Sequence, residues 1–92
     1  MTITKITIII ALASVPMTQS QLQDFTSAEQ SNLSHILTSL RESGYITKES
    51  SAVKAKIHLT PSGKNVFTMF LRQYYHAIDA MSQIVKNTKL DN

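Results

Sequence analysis

Residues Ser27 to Ile46 read "SAEQSNLSHILTSLRESGYI". Leu33, Ile36, Leu37 and Leu40 recur at the three-and-four spacing of a helix with one buried stripe. The opposite side of that helix is unusual. It carries Ser27, Ser31, Ser34, His35 and Thr38, with Gln30 and Arg41 on the flank, where a solvated face ordinarily carries Lys and Glu. Short hydroxyl, amide and imidazole groups can donate and accept at close range, whereas carboxylates crowded there would be repelled by a polyanion.

Upstream, Thr18 with Gln21 three residues on is a capping-box pattern, and it opens a short helix containing Leu22 and Phe25. Ser27 with Gln30 repeats the device, so two helices are separated by a turn of only a few residues, the helix-turn-helix arrangement. Before them, Ile3, Ile6, Ile10 and Ala13, flanked by Ile9 and Leu12, predict a first helix with one broad apolar face, ending near Ser14 to Pro16. This opening stretch also has a positive charge, an apolar run from Ile6 to Ala13 and small residues after it, as a secretory signal would. The run is too short to cross a bilayer, and losing it would strip the later helices of a packing partner. A cytoplasmic protein with no membrane association is therefore expected.

Downstream, Gly44 stands where a left-handed helix cap is wanted, and Tyr45-Ile46-Thr47 has strand composition. In "VKAKIHLT", Val53, Ala55, Ile57 and Leu59 alternate with Lys54, Lys56, His58 and Thr60, which predicts a half-buried antiparallel strand. The two strands make a hairpin with one apolar and one basic face. Thr60 then caps a last helix with Pro61 at its first position, and an apolar stripe runs from Val66 to Val85 over roughly 30 Å. The order helix, helix, helix, strand, strand, helix is a winged helix-turn-helix, an α+β fold that is mostly α. Residues 1–92 form a single domain in this reading: 1–60 the DNA-binding part with three helices and a two-stranded wing, 61–86 a long C-terminal dimerisation helix, and 87–92 a tail.

At 92 residues the chain buries only about 60 to 65% of its unfolded surface, so association would help it. Two Gly and two Pro argue against disorder, and the absence of Cys removes disulfides, zinc-thiolate sites and thiol chemistry. The net charge of +3 is unevenly placed. Residues 41–64 carry Arg41, Lys48, Lys54, Lys56 and Lys64 against Glu42 and Glu49, whereas residues 1–40 carry Lys5 against Asp24 and Glu29. A polyanion is the natural partner of such a patch.

Double-stranded DNA is thus the expected partner. Gln30, Ser31, Ser34 and His35, near the start of the third helix, are the candidate base readers, with Ser27 at its head. Thr38 and Arg41 suit phosphates. Lys48, Lys54 and Lys56 form a basic row on the wing that can follow the backbone or enter the minor groove, although edge lysines also deter sheet aggregation. Lys64, at the unfavourable end of its helix dipole, calls for an outside anion.

The stretches "NLSHILTSLRESGYI" and "KIHLTPSGKNVF" resemble the small winged-helix regulators of the MarR-like and PadR-like type. Gly44-Tyr45-Ile46 and Leu59-Thr60-Pro61-Ser62-Gly63-Lys64 are the most specific pieces of the likeness, which runs from Ile6 to about Met81. The resemblance implies a homodimeric DNA-binding transcriptional regulator of a roughly palindromic operator, expected to be a repressor, with a recognition helix at Ala28 to Ser43 and a wing at Lys48 to Lys56. The wing tip "ESSAVKAK" departs from the pattern, since it has no Arg where relatives often place one in the minor groove. Either Lys54 or Lys56 substitutes, or contact there is weak.

Left open to water, a stripe of Phe67, Phe70, Leu71, Tyr74, Ile78 and Met81 would be a larger apolar patch than soluble monomers usually tolerate, so a second copy is expected to cover it. No catalytic constellation can be assembled from six scattered acids, and His35, His58 and His76 lie at no ligand-like spacing. The chain is therefore not expected to be an enzyme or to need a cofactor or metal, and a small-molecule effector is left open. Two rivals survive at this point. One is a winged-helix module that binds protein, and the other a DNA-binding protein of plasmid partition or phage control.

Overall fold

The computed structural model describes residues 2–88, the side chain of Thr88 excepted. Thr2 caps the first helix, α1 (Ile3–Ser14), by accepting from the Lys5 amide. The capping box of Thr18 and Gln21 is complete and opens α2 (Gln19–Thr26). The second box does not form. Ser27 lies in the left-handed region at φ 56° and ends α2, and α3 (Gln30–Glu42) starts from Glu29 without a side-chain cap. The turn between the two helices is so tight that it uses Ser27 to leave one helix rather than to enter the next.

Gly44, at φ 82°, ends α3 as expected. The Tyr45 amide donates to the Leu40 carbonyl and the Gly44 amide to that of Arg41, so two carbonyls of the last turn are satisfied. The chain then pairs β1 (Ile46–Lys48) antiparallel with β2 (Ile57–Leu59), placing Ile46 opposite Leu59, Thr47 opposite His58 and Lys48 opposite Ile57. Met17 adds a bridge on the other edge of β2, exchanging both backbone hydrogen bonds with Ile57. The last element is α4 (Pro61–Thr88), two residues longer than the expected 61–86. Of the expected tail, residues 89–92 lie outside the described residues.

The core is one cluster in which Ile8, Ile9, Leu22, Leu33 and Leu40 are fully buried. Leu37, Ile46, Ile57 and Leu59 complete it from α3 and the hairpin. The Leu33-Leu37-Leu40 stripe is inside as expected, with Ile36 half-buried. For α1 the expected face is corrected: Ile8, Ile9, Ala11 and Leu12 are buried, whereas Ile3, Ile10 and Ala13 are exposed. A helix that is apolar nearly all round has no unique face of its own, and its neighbours α2, β2 and α4 decide which side they cover. In α2, Leu22 is buried but Phe25 is exposed.

The expected second strand also shrinks. Val53 is 85% exposed and Lys54 lies in a turn, so only Ile57–Leu59 is ladder and the loop between the strands runs from Glu49 to Lys56. Lys54, Lys56 and His58 are consequently not a row on one strand face. A three-residue strand pair is all that the core needs to cover, and the alternating residues beyond it follow no sheet.

Candidate nucleic-acid interface

Two depressions meet on the side of the domain where α3 faces the hairpin. The first, about 230 Å³, lies between α3 and β1 and is lined by Ser34, Thr38 and Arg41 from α3, Thr47 and Lys48 from β1, and Gln19 from α2, over a floor of Leu37, Ile46 and Ile57. The second, about 510 Å³, is lined by Thr18, Gln19, Ser20 and Gln23 of α2 and its cap, Gln30 at the head of α3, and Lys48, Ser51, Val53 and Lys54 of the wing. Gln19 and Lys48 line both, so the concavity is continuous. Arg41, Lys48 and Lys54 are its cations, and no carboxylate lines either part.

The α3 wall is built as its sequence requires. With Leu33, Leu37 and Leu40 turned inward, Gln30, Ser31, Ser34, His35, Thr38 and Arg41 are all exposed. The wall is braced on both sides. Gln19 Nε2 donates to Ser34 Oγ at 2.9 Å from α2, and Lys5 Nζ donates to Ser39 Oγ at 3.0 Å from α1.

The concavity thus brings together Gln30, Ser34, Thr38, Arg41, Lys48 and Lys54 of the expected site residues. Ser31 and His35 are exposed on the same helix but line neither depression. Ser27 is exposed in the linking turn. Lys56 is elsewhere: it borders a depression with Val15, Pro16, Met17, Gln21, Asp24 and Phe25. Lys64 is exposed in the first turn of α4 and lines no part of the concavity. The lining residues that sequence reasoning missed are Thr18, Gln19, Ser20 and Gln23 of α2 and its cap, Thr47 of β1, and Ser51 and Val53 of the wing. The signal existed, because "QSQLQDFT" has only Leu22 and Phe25 as apolar residues and three glutamines around Leu22.

Glu49 and His58 close the base of the wing. The Glu49 carboxylate accepts from His58 Nε2 at 2.7 Å and from the Lys56 amide at 3.4 Å, while the Glu49 amide donates to the Lys56 carbonyl at 3.0 Å. The hydrogen bond with His58 is the main reason that the Glu49 carboxyl titrates below the ordinary glutamate range, with the Lys56 amide second. His58 is thereby engaged inside the wing.

The apolar stripe along α4 is open. Phe67, Phe70 and Leu71 are half-buried, Tyr74 and Met81 are more than half exposed, and every residue from Arg72 to Asn87 is exposed. No helix among the described residues is long and apolar enough to cross a membrane. Among the described residues no group of three His, Asp or Glu could hold a metal ion.

A helix-turn-helix whose second helix stands beside a short antiparallel hairpin, followed by a long helix, defines a winged-helix domain. The chain belongs to the family of DUF6293 C-terminal winged helix domains, whose profile matches residues 2–71. No curated protein matches it in sequence. Among solved structures it is similar to a mutant of S. aureus MepR, with a TM-score of 0.85 and 15% identity over 99% of this chain and 73% of that one. It is also similar to a MarR family transcription regulator with a TM-score of 0.82 and 19% identity, over 99% of this chain and 63% of that one. A MarR family regulator from Silicibacter pomeroyi matches with a TM-score of 0.73 and 25% identity, over 90% of this chain and 58% of that one. The chain therefore has the fold of these regulators, and it spans less than two thirds of the length of the last two.

Proposed function

We propose that the chain binds double-stranded DNA as a homodimeric transcriptional regulator acting as a repressor, with α3 in the major groove and the wing against the adjacent backbone or minor groove. The observation that carries this reading is the concavity itself, which joins an open face of hydroxyls and amides on α3 to Arg41, Lys48 and Lys54 without a lining carboxylate. Base edges are met by short donors and acceptors on such a helix, and phosphates by the cations at its sides. The strand of backbone that separates the two grooves would have to cross the cleft between α3 and β1, where Thr38, Arg41 and Lys48 converge.

Pairing through α4 supports the same reading. Phe67, Leu71, Tyr74, Ile78, Met81 and Val85 are spaced alternately by four and three residues, which is the repeat of a seam made between helices, and Phe70 widens it. A second copy would cover this stripe and present two α3 helices to two half-sites.

The experiment is duplex binding at low salt, followed by selection of bound fragments from a random DNA pool. Affinity is expected to fall steeply with salt, with on the order of 6 to 10 phosphates neutralised per dimer. Protein that ignores duplex DNA at low ionic strength removes the reading.

A further inference from the structure

The capping box fixes the start of α2, and with it the position of Gln19 immediately after the cap. From there the Gln19 amide reaches across to α3 and donates to Ser34 Oγ at 2.9 Å. A serine hydroxyl left to itself rotates, so it can meet either a donor or an acceptor on a base and selects poorly between them. Ser34 is not left to itself. With one lone pair taken by Gln19, its proton points away from that amide, and an oxygen that already accepts is a poorer acceptor for a second donor and a stronger donor itself.

The fate of that proton matters. Thr7, Thr26 and Thr68 each donate their hydroxyl proton to the carbonyl four residues back in their own helix. Among the described residues Ser34 makes no such bond, and its side chain stands exposed on the wall of the concavity. Gln19 presents its NH2 group, not its carbonyl oxygen, to Ser34, and Arg41 and Lys48 line the same cleft.

We propose that Gln19 sets the hydrogen-bonding sense of Ser34, holding its hydroxyl as a donor toward the major groove, so that one operator position is selected for an acceptor edge: guanine O6 or N7, or thymine O4. Gln19 is a positioning residue that acts through Ser34. Its bond is exposed in the free protein and becomes stronger when docked DNA excludes water. This inference rests on the proposed DNA-binding function.

The test is selection from a randomised duplex pool by the parent, Ser34→Ala, Gln19→Ala and Gln19→Glu, each scored position by position for relative base preference. Ser34→Ala should lose roughly threefold to tenfold of preference at one position, the worth of a single hydrogen bond. Gln19→Ala should flatten the same position, because the freed hydroxyl can serve either way. Gln19→Glu should reverse it toward cytosine N4 or adenine N6, since the carboxylate accepts a hydrogen bond from the Ser34 hydroxyl and leaves the Ser34 oxygen to accept from the base. The added negative charge weakens binding to all sequences alike and does not move a relative preference, and a carboxylate in the first turn of α2 suits the helix dipole. A parent that selects a sequence while Gln19→Glu selects the same one overturns this inference alone. A parent that retains no duplex at low salt overturns the DNA-binding function and the inference with it.

Discussion

Gly63 lies flush against the carbonyl of Tyr45: a β-carbon built there would run into that oxygen and would meet Leu59 Cδ2 at 2.9 Å. Gly63 is buried in the first turn of α4, where the helix crosses the end of α3 and the start of the hairpin. This crossing is what a glycine three residues after Thr60 permits, and it holds the wing at a set distance from α4. Gly63→Ala should force α4 away from the hairpin and cost about 1–3 kcal/mol, the usual range for overpacking. For a domain of this size that lowers the melting temperature by roughly 4–8 °C per kcal/mol. Thermal unfolding followed by circular dichroism checks it, and an unchanged melt would mean that the contact yields without cost.

Thr60 ties the same junction with one hydroxyl. It donates to the Gly44 carbonyl and accepts from the Gly63 amide, and the Thr60 backbone amide donates to the Tyr45 carbonyl. The isosteric change Thr60→Val removes the α4 cap and the link to α3 together, while Thr60→Ser keeps both. A loss of about 1–2 kcal/mol is expected for Val and much less for Ser. Equal urea midpoints for the two variants would contradict this account.

Lys54 and Lys56 are neighbours in sequence but not in role. Lys54 lines the concavity with Gln30 and Lys48, whereas Lys56 borders Asp24 and Phe25. Lys54→Ala should weaken binding to all duplexes alike and lower the salt slope by about one per protomer, about two for the dimer. Lys56→Ala should do neither to the same extent. Binding isotherms over a range of salt separate them, and equal effects would return both lysines to one surface.

These contrasts bear on how far the sequence can be read. The α3 stripe, the Thr18-Gln21 box, the Gly44 cap and the helix from Pro61 were legible because each is a local rule with a local signature. The second strand is shorter than its pattern implies because strict alternation continues through residues 53–56, where no partner strand is present to enforce it. The α1 face was misread because six isoleucines or leucines in ten residues offer several faces, and α4 and α2 choose one. The bridge between Met17 and Ile57 has no sequence mark at all, being one residue long. In the candidate site, α3 was legible as a face lacking charge, but the contribution of α2 was hidden. That Gln19 stands beside Ser34 is a fact about the angle between two helices, which no spacing encodes.

On α4, Ile78, Met81 and Val85 line an apolar groove with Ser82 and Lys86. If a second copy covers it, Ile78→Asp places a carboxylate in the seam and should shift the protein from dimer to monomer, with affinity for a palindromic duplex falling at least tenfold as the second half-site is lost. Sedimentation equilibrium reads the first effect and titration of a duplex the second. A variant that remains dimeric would move the interface elsewhere.

The wing itself should respond to acid through Glu49. Its folded carboxyl titrates below the ordinary range, chiefly because His58 Nε2 hydrogen-bonds to it and secondarily because the Lys56 amide does. A carboxylate depressed in the folded state contributes stability that is fully present above its ordinary value and is lost as pH falls through the depressed one. The loop from Glu49 to Lys56 should therefore stay closed at neutral and mildly acidic pH and open only at the acid end. Glu49 is exposed, so water screens the effect and confines it to the wing. The carbon resonance of the Glu49 carboxyl should titrate below the ordinary glutamate range in the parent and move up toward it in His58→Ala, with exchange of the Lys56 amide accelerating over the same interval. An unshifted midpoint in the parent would show that His58 leaves the carboxylate in solution.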